Sequence, residues 1–171
     1  MKLRPLAQPR LLVSLMLMPT IGYGPGTDTS LDVAGSIVLT ATTTPAVGKD
    51  AAGRAAFIGE SKGKNRSTGA AEFMNGAEIS TADTANLVDG TGPHYGSITM
   101  SKGGDRVVYA WKGQVTTELA ADKQPNSTFQ GTWKTLSGSG VYGRVSGQGT
   151  YKGRFTSATA SVIEWEGTIE P

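Results

Sequence analysis

The sequence predicts an all-β domain, an antiparallel sandwich or a small closed barrel. Three observations predict it. From residue 95 onward, apolar and polar residues alternate with a period of two in segment after segment. Glycine-rich turns separate these short segments, and between Gly131 and Gly153 seven of 23 residues are glycine. After residue 22 no segment carries the apolar stripe of an amphipathic helix.

The chain opens MKLRPLAQPRLLVSLMLMPTIGYGPG. Lys2, Arg4 and Arg10 form a positive region, Leu11 to Met18 an apolar run, and Pro19 breaks any helix there. This pattern predicts a secretory signal peptide over residues 1–22, because the run falls short of the ~20 residues that span a bilayer. Cleavage after Gly22 leaves Thr20 and Gly22 as the small pair; cleavage after Gly24 puts Pro25 at an unfavourable first position. The expected location is secreted or periplasmic.

The whole chain has 16 basic and 14 acidic residues. Removing residues 1–22 takes three basic residues and no acid, which leaves 13 against 14. The basic character therefore belongs to the export segment, and no nucleic-acid partner is expected. There is no cysteine. That excludes a lipid-anchoring cysteine, a thiolate zinc site and a cysteine nucleophile, and leaves the exported fold resting on its core and strand ladders.

Along the mature chain, residues 23–30 are expected to be a flexible leader and residues 31–171 a single domain. "LDVAGSIVLT" (31–40) has the β-branched content of a first strand. "ATTTPAVGKDAAGR" (41–54) has little apolar bulk and is expected to be a loop, and "AAFIGE" (55–60) a short strand. "SKGKNRSTG" (61–69) looks like a polar turn region whose Lys62, Lys64 and Arg66 are solvated. "AAEFMNGAEIS" (70–80) is strand-like without a clean period, and "TADTANLVDGTG" (81–92) fits a loop or one helical turn.

The later segments are cleaner. "YGSITMS" puts Ile98 and Met100 on one face, and "KGGD" (102–105) has the glycines that a tight hairpin turn needs. Val107, Tyr109 and Trp111 share a face, as do Phe129 and Trp133, then Tyr151 and Phe155, then Ile163, Trp165 and Ile169. Gly147, Gly149, Tyr151 and Gly153 fall on one face of a strand, so the glycines make room for rings from adjacent strands.

The series Phe129-x-Gly131-x-Trp133, Gly138-x-Gly140-x-Tyr142 and Gly147-x-Gly149-x-Tyr151-x-Gly153-Arg154 resembles bacterial secreted proteins with an allene-oxide-cyclase-like, dirigent-like barrel. The resemblance is best over residues 69–171. It implies an eight-stranded antiparallel closed barrel with an apolar cavity, in which plant relatives guide cyclisation or coupling of a reactive apolar substrate. Many bacterial members have no assigned activity, and no catalytic residue of the plant enzymes maps onto a position here.

The remaining motifs carry little chemistry. Gly138-Ser-Gly140-Val-Tyr-Gly143 matches G-x-G-x-x-G, but the three glycines in "RVSGQGTYKG" rule out the helix a dinucleotide site needs. The single histidine, His94 in "GTGPHYG", is expected to be a loop residue, and no metal or cofactor is implied. Glu164 and Glu166 fall opposite the Trp165 face and are expected in solvent. Glu72 and Glu78 are the catalytic candidates, because either acid turned into a barrel takes a raised pKa, although exposure is the simpler expectation. Asn65-Arg-Ser67 and Asn126-Ser-Thr128 fit the glycosylation pattern, with neither expected to be modified.

Tyr109, Trp111, Trp133, Tyr151 and Trp165 are the candidate ligand-binding residues. Their shared parity also fits a packed interior, since an eight-stranded barrel is only just wide enough to be filled by its own side chains. Three functions stay open: a binder of a small apolar molecule, a cofactor-independent cyclase or isomerase, and a packed structural domain. Homo-oligomerisation is left open. Strand faces rich in Ser, Thr, Lys and Glu fit poorly with a membrane-embedded barrel, so the processed chain is not expected to be an integral membrane protein.

Overall fold

The computed structural model describes residues 29–43 and 48–170. The predicted signal peptide and all of the predicted leader except Thr29 and Ser30 lie outside the described residues. The strands are β1 (Leu31–Ala41), β2 (Gly48–Lys49), β3 (Arg54–Ser67), β4 (Glu78–Val88), β5 (Gly92–Lys102), β6 (Asp105–Leu119), β7 (Pro125–Ser139), β8 (Ser146–Ser157) and β9 (Ala160–Glu170). One 3-10 turn, Gly140–Tyr142, joins β7 to β8.

Neighbouring strands run β1-β9-β8-β7-β6-β5-β4-β3, all antiparallel, and β1 also pairs with β3 from Gly35↔Ser67 to Ala41↔Ser61. That ladder closes the eight long strands into a barrel. The two-residue β2 pairs with β3 beyond the end of β1, with Lys49 opposite Ala55. Closure leaves no long unpaired edge, which suits a chain without disulfides.

The predicted alternation sets the inside and outside. Val33, Ile37 and Leu39 of β1 face inward, as do Val107 and Tyr109 of β6, Phe129 and Trp133 of β7, and Trp165 and Ile169 of β9. Glu164 is exposed and pairs with Lys152 at 3.1 Å; Glu166 is exposed as well. The hairpin at residues 102–105 forms as expected, with Gly103 and Gly104 at φ +60° and +94°, a backbone that tight hairpins favour and L side chains resist.

Three segments differ from the sequence expectation. Residues 61–67 are the second half of β3, not a turn: Lys62, Lys64 and Arg66 point outward, while Ser61, Gly63, Asn65 and Ser67 alternate inward. Residues 81–88 belong to β4, not to a loop or a helical turn. Residues 70–77 form a run of turns, not a strand. In the first two cases every inward position but Leu87 is small or polar, so most of the apolar half of the period-two signal is missing.

The two ends of the barrel are built differently. At one end the crossover 68–77 carries Phe73 and Met74 inward at 5% and 2% exposure. They pack with Val33, Val107, Val145 and Ile169, all buried. The rings of Phe73 and Tyr142 meet edge-on at 5.2 Å. Burial of a side chain of this kind contributes roughly 1.5–3 kcal/mol, so Phe73 and Met74 form an apolar plug.

Asn65 fastens the plug to the wall. Its Nδ2 donates to the carbonyls of Phe73 (3.2 Å) and Met74 (3.0 Å), and its Oδ1 accepts the Trp165 indole N–H at 3.0 Å. With its amide engaged in the core, Asn65 offers no surface for glycosylation. The opposite end is ringed by the β4–β5, β6–β7 and β8–β9 connections and has no such plug among the described residues.

Candidate ligand-binding lumen

Behind that open end lies a cavity of about 580 Å³, the size of a small-molecule pocket. Among the described residues the barrel is thus packed at one end and hollow at the other. Glycine lets rings lie on the wall instead of across the bore. A Cβ on Gly149 would fall 2.6 Å from two carbons of the Trp133 indole, and one on Gly35 would fall 2.6 Å from Trp165. Gly96 leaves the same room for Trp111, and the paired Gly113 and Gly131 for the Tyr151 hydroxyl. The glycine–aromatic rhythm of the sequence is therefore a steric pairing between inward positions on neighbouring strands.

All five predicted ligand-binding residues line the cavity. Trp133 is anchored by its indole N–H, which donates to the Glu166 carbonyl at 3.1 Å. Trp133 and Trp165 meet edge-on at 6.2 Å, and Tyr109 and Trp133 at 5.3 Å. Phe155 is half-exposed at the rim, where its ring lies 5.2 Å from Phe129.

The predicted catalytic candidates lie elsewhere. Glu72 sits at φ +47° in an exposed turn of the crossover, and Glu78 faces outward and pairs with Lys64 at 3.1 Å. Glu78 has the outward parity of β4, one residue out of phase with buried Ile79. Neither acid reaches the lumen.

The acid that does is Asp83, two strand steps from Thr81 on the inward face of β4. The Thr81 hydroxyl donates to Asp83 Oδ2 at 2.8 Å. Burial pushes the Asp83 carboxyl from 3.8 up to about 6, with the Thr81 bond acting against the rise. His94 is also inward, on β5, and only 9% exposed, which corrects the expectation of a loop residue. Its Nε2 lies 3.0 Å from the Tyr151 hydroxyl. The Trp111 ring centre is 4.7 Å away and that of Phe129 5.6 Å.

Burial among these rings lowers His94 from 6.5 to about 4, opposed by the Gln130 backbone carbonyl, so the imidazole is neutral at pH 7. Burial, and then the charge of Asp83, push the Tyr151 phenol upward. At neutral pH the corner therefore presents a carboxylate, a neutral imidazole and a phenol inside apolar walls. Asp83 titrates near enough to neutrality to exchange a proton with a bound molecule.

Asp83 was legible in principle. Ile79, Thr81, Asp83, Ala85 and Leu87 keep a strict period of two, but polar and small residues occupy three of these five positions. Around His94, Gly92, Pro93 and Gly96 masked a strand as a loop; Pro93 is tolerated because it stands at the strand's start. No group of three or more His, Asp or Glu residues is placed to hold a metal among the described residues. No helix among them is long and apolar enough to cross a membrane. Compared with known proteins, the chain matches no family model, no curated protein and no solved structure.

Proposed function

We propose that this is an exported barrel that binds one small, largely apolar molecule in the open half of its lumen. The observation that carries this reading is the cavity itself: about 580 Å³, plugged at one end, open at the other and walled by aromatic rings. Such a shape removes most of a ligand's surface from water, and the polar corner at Asp83, His94 and Tyr151 supplies the few oriented groups that fix a ligand's direction. The likeness to allene-oxide-cyclase-like barrels, which rests on the glycine–aromatic rhythm, supports the same reading.

The test uses the lumen's own tryptophans. Apolar compounds of graded size should quench or shift their fluorescence and raise the Tm of the protein. Ala85 faces the cavity from β4, so Ala85→Trp should abolish both responses while the barrel still unfolds cooperatively. Equal responses in wild type and Ala85→Trp would place binding on the outer surface and overturn the proposal.

One observation favours a second reading, a cofactor-independent cyclase or isomerase. Asp83 is a largely buried carboxylate whose charge acts on the Tyr151 phenol, and both line a cavity that would hold a substrate near its reacting conformer. Here the bound compound should exchange an acidic C–H for deuterium in heavy water, with wild type but not with Asp83→Asn. Binding without any such exchange leaves the protein a carrier.

A further inference from the structure

We propose that the molecule held in the lumen carries a single amine or ammonium group, which docks on Asp83. This rests on the reading that the lumen is a ligand site, and it names the chemical class of the ligand.

The charges around the cavity point one way. The charged residues along its wall are Glu60, Asp83 and Asp89, with no lysine or arginine among the described lining. Glu60 has the outward parity of β3, and Asp89 stands at the rim, exposed and paired with Lys49 at 3.4 Å. Asp83 alone lies within the aromatic part of the lumen. Its Oδ2 accepts the Thr81 hydroxyl, and its Oδ1 accepts no hydrogen bond from the described residues.

An ionised carboxylate withdrawn from water and short of partners is costly, and a cation placed beside it offsets that cost. An anionic headgroup would meet Asp83 with repulsion. The rest of the corner suits a cation as well: Asp83 pairs across the sheet with Gly96, against which the Trp111 ring lies, and Trp111, Phe129 and Tyr151 cluster around His94; aromatic rings attract ammonium groups, and His94 stays neutral and does not compete. The groups that face this corner are Thr81 from β4, His94 from β5, Trp111 from β6 and Tyr151 from β8. None of them is positively charged at neutral pH.

The experiment is a fluorescence or calorimetric titration at pH 7.5 with four probes that share one alkyl chain: decylamine, decyltrimethylammonium, 1-decanol and decanoate. Both cations should bind at least ~10-fold more tightly than the alcohol, the scale of one charge-assisted contact, and decanoate should bind most weakly. Asp83→Asn should erase the preference, so that the two cations bind no more tightly than decanol to the same variant. Wild-type protein supplies an independent arm: at pH 5, with Asp83 protonated, the same preference should vanish. Decanol binding as tightly as decylamine, decanoate binding tighter than either, or a preference that survives both Asp83→Asn and pH 5 would overturn the amine assignment and leave lumenal binding standing. Failure of all four probes to bind the folded protein, or equal binding by Ala85→Trp, would overturn the lumenal reading itself.

Discussion

Asp83 and His94 make opposite contributions to stability over the same pH range, and separating them tests the polar corner directly. In the unfolded chain the two groups titrate near 3.8 and 6.5; in the folded barrel they titrate near 6 and near 4. Between pH 4 and 6 the folded state keeps a proton on Asp83 that the unfolded chain releases. That contribution is present in full at low pH and is lost as pH rises to about 6. Between pH 4 and 6.5 the unfolded chain takes a proton on His94 that the folded state excludes. That contribution is present above 6.5 and is lost as pH falls toward 4.

Each difference corresponds to about 3 kcal/mol, with opposite sign, so the two nearly cancel in the wild type. Asp83→Asn should therefore gain stability relative to wild type as pH rises from 4 to 6, by up to about 3 kcal/mol. His94→Gln should lose a similar amount relative to wild type from pH 4 to 6.5. Urea unfolding followed by tryptophan fluorescence at several pH values gives both slopes. Any constant offset from altered packing drops out, because only the change with pH is read. Two variants whose curves run parallel to wild type would refute the burial of both groups.

Four further substitutions probe the architecture. Gly149→Ala drives a methyl into the Trp133 indole and against the carbonyl that the indole N–H bonds. It should cost about 2–4 kcal/mol and lower the Tm by roughly 6–12 °C. Gly143→Ala is the control: with φ −59° and its nearest neighbour 3.5 Å away, it should be neutral or stabilise by up to about 1 kcal/mol. Asn65→Ala leaves the buried Trp165 N–H and the Phe73 carbonyl without partners, while the Met74 carbonyl keeps only the Ala77 N–H; thermal unfolding should show a loss of roughly 3–5 kcal/mol. The Tyr109 hydroxyl is buried without a hydrogen-bond partner among the described residues. Tyr109→Phe should thus be neutral or stabilise by up to about 1 kcal/mol in a urea titration, and a loss larger than that would show the hydroxyl to be bonded.

Legibility in the sequence followed the packing. Strands β6 to β9 were readable because their inward positions carry bulky rings or aliphatic groups against charged outward neighbours, as in Ile163, Trp165 and Ile169 against Glu164 and Glu166. The wall formed by β3 and β4 was not, because it lines the hollow half or receives side chains from elsewhere. Gly63, Asn65, Thr81 and Asp83 face inward without apolar bulk. The candidate site suffered most from this. Its aromatic half was visible as a shared parity, whereas Asp83 looked like any polar residue in a threonine-rich stretch and His94 looked like a turn. Asn65 resembled a glycosylation acceptor, yet only the fold brings it to Trp165, one hundred residues away.

The most direct test of the lumen as a ligand site is a crystal structure grown with excess bromine-tagged decylamine and solved with anomalous data at the bromine edge. The bromine and its alkyl chain should lie inside the open half of the barrel, between Trp111 and Tyr151 and above the Trp133 and Trp165 rings. Side chains collapsed across that volume, with bromine found only on the outer surface, would contradict it.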